Sequence, residues 1–541
     1  MQSKKLLIGL VSSLLLTIPA RGTAQEHQHP AGDPEKLGQV RFETSCEAAV
    51  RPAFTRAVAM LHSFWYEKAA AEFTAVAQID PNCAIAYWGL AMTYNHPLWE
   101  QPNAVSLKAG AAALSKAKEL GGKSARERDY GAALEAFYND FETTDHVTRT
   151  LAYEAAMQQL SQRYTDDREA SAFYALALLG SATALPPDKT YARQKKAGAI
   201  LAPVFAKQPE HPGLAHYIIH SCDFPPLAAL AIDAARRYAT IAPDSPHALH
   251  MPSHIFTRLG LWDESIASNK NSAASAHKYG VTGDELHALD YLMYAYLQQG
   301  QNRQARQLLD AVPRMEGAPP QYFAGLYATA AMPVRYALER HRWAEAASLK
   351  MPANFFPGGR YAWAEAMFLF ASALGAARSG NASPARAADQ PLAALRETLK
   401  QARENYWAEQ VEIQRREVAA WATHLEGRTD EALALLRSAA DREDLLGKHP
   451  VTPGAPLPAR ELLGDLLLDA KQPAQALAEY EAVLQAAPNR LNSLYGAARA
   501  AELAQNPERA KKYYSALLQL CDQADGERAE LDLARQFLAR K

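Results

Sequence analysis

Apolar residues recur along most of the chain at intervals of three and four positions, the spacing of one face of an α-helix. Alanine, leucine and tyrosine dominate these positions, whereas runs of β-branched residues, which would suit strands, are scarce. Prolines cluster between the periodic segments, where they would end one helix before the next begins. The pattern therefore predicts an all-α protein built from many consecutive helices.

A longer period, of about 34 residues, underlies this helical pattern and is typical of stacked arrays in which each repeat is one supersecondary unit. Near the carboxyl end, four positions follow the pattern A-x3-Y-x2-V-x4-P, namely Ala476, Tyr480, Val483 and Pro488. The same positions one period later hold Ala510, Tyr514, Leu517 and Asp522. The spacing also occurs near the other end of the chain, at Ala69, Phe73, Val76 and Pro81.

These positions resemble the tetratricopeptide consensus, which combines small residues at helix contacts, large residues between them and a proline after the second helix. The resemblance covers most of residues 50–525 and is degenerate over 104–180, 315–380 and 385–445. It implies a right-handed α-solenoid of ten to twelve stacked helix-turn-helix repeats with a concave groove.

Segments that depart from the repeat suggest the domain boundaries. Residues 1–24 contain two lysines, an apolar run and a small-residue cleavage site, which predicts a secretory signal peptide. We expect an extended segment over 25–45, the solenoid over 46–447, a proline-rich insertion over 448–458 and carboxyl-terminal repeats over 459–541. A shorter insertion with paired prolines covers Ala182 to Lys189. The predicted location is periplasmic or secreted, with no transmembrane segment after cleavage.

The charge balance and the cysteines narrow the function classes. The chain has 57 basic and 59 acidic residues and a net charge of −2, whereas nucleic-acid binding needs clustered lysine and arginine. We therefore expect no nucleic-acid partner. Four cysteines are too few for a disulfide scaffold, but Cys46 and Cys83 each precede a predicted helix and are a candidate disulfide in an oxidising compartment.

Histidines concentrate between residues 211 and 287, in register with the repeat. The pair His216 and His220 recurs one period later as His250 and His254, and each pair has the i, i+4 spacing of one helix face. The tetratricopeptide resemblance implies that these positions line the concave groove on two neighbouring helices. It places four further polar residues in the same groove: His247, His287, Asp223 and Asp290.

This constellation predicts a metal site. Imidazoles from adjacent helices can reach one ion through bonds of about 2.0–2.2 Å, and zinc, copper, iron and nickel all suit imidazole ligands. The groove offers enough ligands for one ion or for two ions that share it. Because ligand imidazoles must be neutral, we expect metal affinity to fall as the pH drops through about 6.5.

Two functions are compatible with this sequence. One is a binding scaffold that docks a peptide or protein partner in the concave groove. The other is a metal-dependent enzyme, a hydrolase or an oxidoreductase, with Asp223 or Asp290 as base. The histidines also suit a polar docking surface or plain packing, and packing is the interpretation favoured for His62 and His96.

Overall fold

The structure, a computed structural model, describes residues 35–99, 101–315, 323–352 and 361–540. Within these ranges the chain is helical and has no β-strand, so the all-α prediction is confirmed. The predicted signal peptide and the first part of the 25–45 segment lie outside the described residues. No helix in the described ranges is long and apolar enough to cross a membrane.

The described residues form α-helices that follow one another through short turns. The first half of the chain contains α1 (Arg51–His62), α2 (Tyr66–Ile79), α3 (Ala84–Met92), α4 (Ala104–Leu120), α5 (Ala125–Tyr138), α6 (His146–Arg163), α7 (Arg168–Ala184), α8 (Ala192–Lys207), α9 (Pro212–Cys222), α10 (Ile232–Ile241), α11 (Pro246–His250), α12 (Pro252–Leu259) and α13 (Trp262–Tyr279). The second half contains α14 (Thr282–Gln298), α15 (Asn302–Ala311), α16 (Phe323–Leu338), α17 (Trp343–Ala347), α18 (Ala362–Arg378), α19 (Ala382–Ala387), α20 (Asp389–Gln401), α21 (Asn405–Leu425), α22 (Thr429–Leu446), α23 (Ala459–Asp469), α24 (Pro473–Ala486), α25 (Leu491–Leu503), α26 (Pro507–Leu520) and α27 (Ala529–Ala539). Three short 3-10 helices cover Ala48–Val50, Ala228–Ala231 and Val312–Arg314.

Consecutive helices pack as pairs, and each pair packs on the next. The repeat residues explain why the helices approach closely. Tyr480 of α24 lies between Gly464 of α23 and Gly496 of α25, and a Cβ atom at either glycine would come within 2.7 Å of the tyrosine ring. Gly89 makes the same close approach to Phe73 near the other end of the array. The small and large residues that recur in the sequence are therefore the positions at which neighbouring helices contact each other.

Helices α9 and α11 begin in the same way, one repeat period apart. Each has proline at its first position, where the missing N–H has no helical partner to lose. The preceding side chains, His211 and Ser245, accept hydrogen bonds from the N–H groups of Leu214 and Ala248. Helix α11 ends after His250, and α12 starts at Pro252, which cannot donate to the helical ladder.

The proline-rich insertion packs into the array. The Tyr291 hydroxyl of α14 donates to the carbonyl oxygen of Thr452 at 2.9 Å, and the Arg335 guanidinium of α16 donates to those of Gly454 and Ala455 at 3.2 and 3.1 Å. The Lys448 ammonium reaches Asp223, at the end of α9, at 2.9 Å. The described residues from Lys36 onward accordingly form one compact unit.

A second buried contact joins four helices around Arg490, at the start of α25. Its guanidinium is fully buried and donates to the carboxylates of Glu339 and Glu461 at 2.8–3.0 Å. The Tyr294 hydroxyl lies 3.0 Å away. The residues come from α14, the end of α16, α23 and α25, so this ion pair ties the carboxyl-terminal repeats to the central ones.

We predict that Arg490→Gln lowers the free energy of unfolding by about 3–5 kcal/mol, because two carboxylates would stay buried without their counter-charge. Urea denaturation followed by circular dichroism measures this. The matched control is Arg535→Gln, which removes an exposed ion pair with Asp532 and should change stability little. Equal effects of the two substitutions would contradict the role given to Arg490.

Candidate metal centre

Six imidazoles from three neighbouring repeats meet in the interior of the array. They fall into two clusters, in each of which the potential ligand atoms lie within 4.8 Å of one another. The first trio is His216 and His220 of α9 with His247 of α11. The second trio is His250 of α11, His254 of α12 and His287 of α14.

The two trios lie side by side. The ring centroids of His220 and His254 are 6.3 Å apart, and those of His247 and His250 are 6.2 Å apart. The four histidines that the repeat register groups together are thus divided between two clusters, and His247 and His287 complete them. Of the two arrangements that the sequence allows, the geometry favours two ions over one.

The second trio places two unprotonated nitrogens against each other. His254 directs Nδ1 at the Asp223 carboxylate, 2.9 Å away, and His250 directs Nδ1 at Oδ1 of Asn269, 2.7 Å away. Both partners accept. The Asp223 carboxylate has no proton to donate, and Asn269 presents its Oδ1 because its Nδ2 donates to the Ser265 carbonyl at 2.8 Å. Each neutral ring therefore carries its proton on Nδ1. The two Nε2 atoms face each other at 3.0 Å with a lone pair on each.

The first trio has the same design around His216. Its Nδ1 donates to the backbone carbonyl of His62 at 2.7 Å, which leaves Nε2 unprotonated. That single lone pair lies 3.0 Å from Nε2 of His220 and 3.1 Å from Nε2 of His247. Two nitrogens bound tetrahedrally to one ion at about 2.0–2.1 Å would be about 3.3 Å apart. The contacts of His216 with His220 and His247, and that of His250 with His254, are close to this spacing.

A third histidine cluster provides a contrast within the same protein. His62 and His211 direct their Nε2 atoms at the two oxygens of Glu169, 2.8 and 2.9 Å away. His211 accepts the Leu214 N–H through Nδ1, so its Nε2 carries the proton and donates. Every nitrogen has a complementary partner here, since the Tyr217 hydroxyl lies 2.9 Å from Nδ1 of His62. This cluster is a satisfied hydrogen-bond network, unlike the second trio, where no proton lies between His250 and His254.

Burial keeps the six imidazoles neutral. Five of them expose 7% or less of their surface, and His220 is half-buried. Burial lowers the pKa of His216 to about 3, and burial followed by the neighbouring imidazoles lowers the pKa of His220, His247 and His250 well below its usual value. The same applies to His287, whereas in His254 the Asp223 carboxylate partly offsets the lowering. The ligand-ready form therefore persists below pH 6.5, lower than the sequence suggests.

The two predicted carboxylates lie near the histidines but belong to neither trio. Asp223 is held by three donors, since Arg258 at 2.8 Å and Lys448 at 2.9 Å join His254. Burial disfavours its charge, but the two cations outweigh this and hold the pKa of Asp223 well below its usual value. Asp290 pairs with Arg335 at 3.3 Å, and burial raises its pKa. Asp223 is thus placed to orient an imidazole and is not poised to accept a proton.

Three cysteines lie outside both trios. Cys46 and Cys83 form a disulfide with Cα atoms 4.8 Å apart. Cys222 is a buried free thiol whose pKa is raised by burial, and it belongs to neither trio.

A cavity of about 920 Å³ adjoins the centre. Trp99 lines it and packs edge-on against His247, with ring centroids 5.0 Å apart. Arg258 and Lys448 also line the cavity while they hold Asp223. Trp99 therefore separates the cavity from the first trio, and the cations with Asp223 separate it from the second trio.

The sequence does not reveal the residues that orient the imidazoles. His216 donates to the backbone carbonyl of His62, a group that every residue has. His250 donates to Asn269, which belongs to no recognisable motif in α13. Lys448 is 225 residues away from the carboxylate that it contacts. His62 and His96 are one repeat period apart in the sequence, which suggests packing. Nothing in that spacing indicates the hydrogen bond between His62 and His216.

Comparisons with known proteins leave the function open. No protein-family model and no curated protein matches the chain. Among solved structures, the Naa15/Naa10 complex bound to HypK-THB aligns over 90% of this chain and 71% of that chain, at 12% identity and a TM-score of 0.24. The P58(IPK) TPR domain aligns over 91% of this chain and all of that chain, at 14% identity and a TM-score of 0.20. Scores this low carry no argument, so the repeat architecture rests on the helix pairs themselves.

We predict that the metal-free protein loses stability below about pH 6.5. Its buried histidines are neutral when folded, whereas unfolded imidazoles protonate near pH 6.5. A lowered pKa in the folded state gives stability that is present above 6.5 and is lost as the pH falls towards the folded value, about 3 for His216. The buried carboxyls Asp290, Glu417 and Glu443, with raised pKa, oppose this trend but are fewer.

Thermal unfolding in a chelator between pH 8 and 5 measures this effect. The midpoint should fall steadily below pH 6.5, and His277→Gln, at an exposed position, should show the same profile as the native sequence. A midpoint that stays constant or rises between pH 6.5 and 5 would show that the imidazoles are not held neutral.

Proposed function

We propose that this protein binds a pair of transition-metal ions, one in each trio. The observation that carries the proposal is the contact between His250 and His254. Two buried lone pairs at 3.0 Å with no proton between them repel each other, and an ion bound to both removes that repulsion. Ligand histidines characteristically donate their other N–H to a carboxylate or carbonyl oxygen, and His216, His250 and His254 all do so.

The ligand chemistry selects among metals. Neither trio contains a carboxylate or a thiolate, which disfavours magnesium, manganese and the two-histidine, one-carboxylate type of iron site. Copper, zinc and nickel remain, and copper has the highest affinity in that series.

The surrounding charge favours copper further. Asp223 contributes one negative charge, and its contacts Arg258 and Lys448 contribute two positive ones. Six neutral ligands in this setting cannot compensate two divalent ions side by side, unless solvent anions enter with them. A pair of Cu(I) ions carries half that charge, so we infer that copper is the preferred metal and zinc the alternative.

The centre also suits a metal-dependent enzyme. Three protein ligands per ion leave a coordination position for water or substrate, as in catalytic zinc sites. The adjoining cavity offers space for such a molecule behind Trp99, which contacts His247 of the first trio. This observation favours catalysis as the second candidate function, with the two ions as the reactive groups.

A docking groove for a peptide or protein partner is less well supported at this location. The interpretation of the histidines as a docking surface requires exposed rings, but five of the six expose 7% or less. A partner that binds elsewhere on the array stays a prediction. Export to the periplasm or beyond also stays a prediction, and the disulfide between Cys46 and Cys83 is compatible with it.

We predict two copper ions per chain in protein that is purified without a polyhistidine tag and loaded with copper. Elemental analysis by mass spectrometry measures the ratio. His216→Ala should retain one ion by losing the first trio, and His250→Ala should retain one by losing the second. His277→Ala, at an exposed position outside both trios, should retain both. Loss of both ions from every single variant would indicate a shared site, and no bound metal in the native chain would refute the proposal.

We predict a selective effect of Asp223→Asn on the second trio. The amide leaves the shape unchanged but weakens the hold on the His254 N–H, and loss of such partners typically lowers metal affinity about 10–100-fold. Competition with a chromogenic copper chelator should show one weakened ion and one unchanged ion. Equal weakening of both ions would contradict the assignment of Asp223 to the second trio.

A further inference from the structure

The cavity beside the metal centre is built from the segments that depart from the repeat. Its lining includes most of the insertion at 182–189 and most of the insertion at 448–458, which are far apart in the sequence. The lining also contains eight prolines, at positions 97, 187, 225, 226, 450, 453, 456 and 458. Because proline restricts the backbone, the walls are held in place before any ligand arrives. A volume of about 920 Å³ lies within the range of small-molecule sites.

One wall of the cavity is aromatic. It consists of five lining rings, which we call the aromatic wall: Tyr327, Trp363, Tyr406, Trp407 and His449. Trp407 lies at its middle, with centroid distances of 5.6 Å to Tyr327, 5.9 Å to Trp363 and 5.2 Å to His449. These three contacts have interplanar angles between 33° and 39°, so the rings are tilted against one another. Tyr327 and Trp363 are almost completely buried, and the accessible ring face belongs to the half-buried Tyr406, Trp407 and His449. Such a face favours a flat, conjugated ligand.

The end of the cavity nearest the metal centre is positively charged. Arg258 and Lys448 line it and share the single negative charge of Asp223, which leaves one positive charge in excess. Lys189 adds another cation to the lining. A positive charge at this end attracts an anion and opposes a cationic ligand.

The acidic groups of the lining have partners of their own. Asp444 pairs with Arg460 at 2.5 Å, and Glu443 accepts the Ala459 N–H at 2.8 Å. Asp188 accepts the Thr190 N–H at 2.8 Å within its own turn. The hydrogen bond from Thr190 leaves the negative charge of Asp188 in place, so Asp188 offsets the neighbouring Lys189. The excess positive charge of the lining is therefore the one beside Asp223.

We propose that the cavity binds a small aromatic carboxylate, with its ring on the aromatic wall and its carboxylate at Lys448 and Arg258. This position places the molecule next to the metal centre, so the inference rests on the proposed function and names the class of ligand held beside that centre. The ring gains stacking on Trp407. The carboxylate gains attraction to the positive charges of Arg258 and of Lys448, whose Nζ already has acceptors in Asp223 and in the carbonyl oxygens of His449 and Pro450. A ligand with the ring alone or the charge alone would use half of the site.

Isothermal titration calorimetry of the full chain with 4-hydroxycinnamate tests the proposal. Cyclohexanecarboxylate supplies the charge without the aromatic ring, and tyramine supplies a phenol ring with the opposite charge. Of the three compounds, we expect only 4-hydroxycinnamate to bind measurably. If either control compound bound with the same affinity, the proposal would be overturned. These comparisons use the native chain and do not depend on whether a variant folds.

Two substitutions locate the bound molecule. Trp407→Leu should raise the dissociation constant about threefold to tenfold by removing one stacking partner. Lys448→Gln should raise it about tenfold or more by removing a charged donor. Trp343→Leu is the matched control, since Trp343 packs on Arg378 and does not line the cavity, and it should leave binding unchanged. An effect of Trp343→Leu as large as that of Trp407→Leu would count against the cavity.

The titration is carried out on both metal-free and copper-loaded protein, which separates the two proposals. Binding of 4-hydroxycinnamate to the metal-free chain, together with failure to bind copper, would refute the metal proposal and support the cavity. Copper binding without 4-hydroxycinnamate binding would refute the cavity alone.

Discussion

The absence of a proton between Nε2 of His250 and Nε2 of His254 is the constraint on which the account of the centre depends. Acceptors fix the Nδ1 protons of His216, His250 and His254, so their Nε2 lone pairs point into the trios. Water does not compensate them, because these rings are almost completely buried. An arrangement of this kind is costly in the metal-free protein, and it becomes favourable when each trio surrounds a cation.

Residues from distant parts of the chain maintain that arrangement. The acceptors come from the end of α1, from α13 and from the turn after α9, and Asp223 is in turn held by Lys448 of the proline-rich insertion. The array therefore supports the centre as a whole, since a helix shift in any of these segments would change an imidazole orientation. The Arg490 ion pair contributes indirectly, because it fixes the carboxyl-terminal repeats against α14, which carries His287.

Much of the helix pattern and part of the centre follow from the sequence. The repeat period predicts the helix pair α9–α10 and the two pairs α23–α24 and α25–α26. It also places His216, His220, His250 and His254 on neighbouring helices. It does not predict the division into trios. That division depends on the break at Pro252 between α11 and α12, and on His247 and His287, whose partners are set by helix packing. The partners of Asp223 and Asp290 are cations from distant segments, which no local pattern indicates.

Anomalous diffraction from crystals of copper-loaded protein, recorded on both sides of the copper absorption edge, tests the central claim most directly. The account predicts two separate copper peaks, one within about 2.0–2.2 Å of the ring nitrogens of each trio. A single peak shared by both trios would contradict the division into two sites. Copper peaks only at surface histidines, with the six buried imidazoles unliganded, would contradict the metal centre itself.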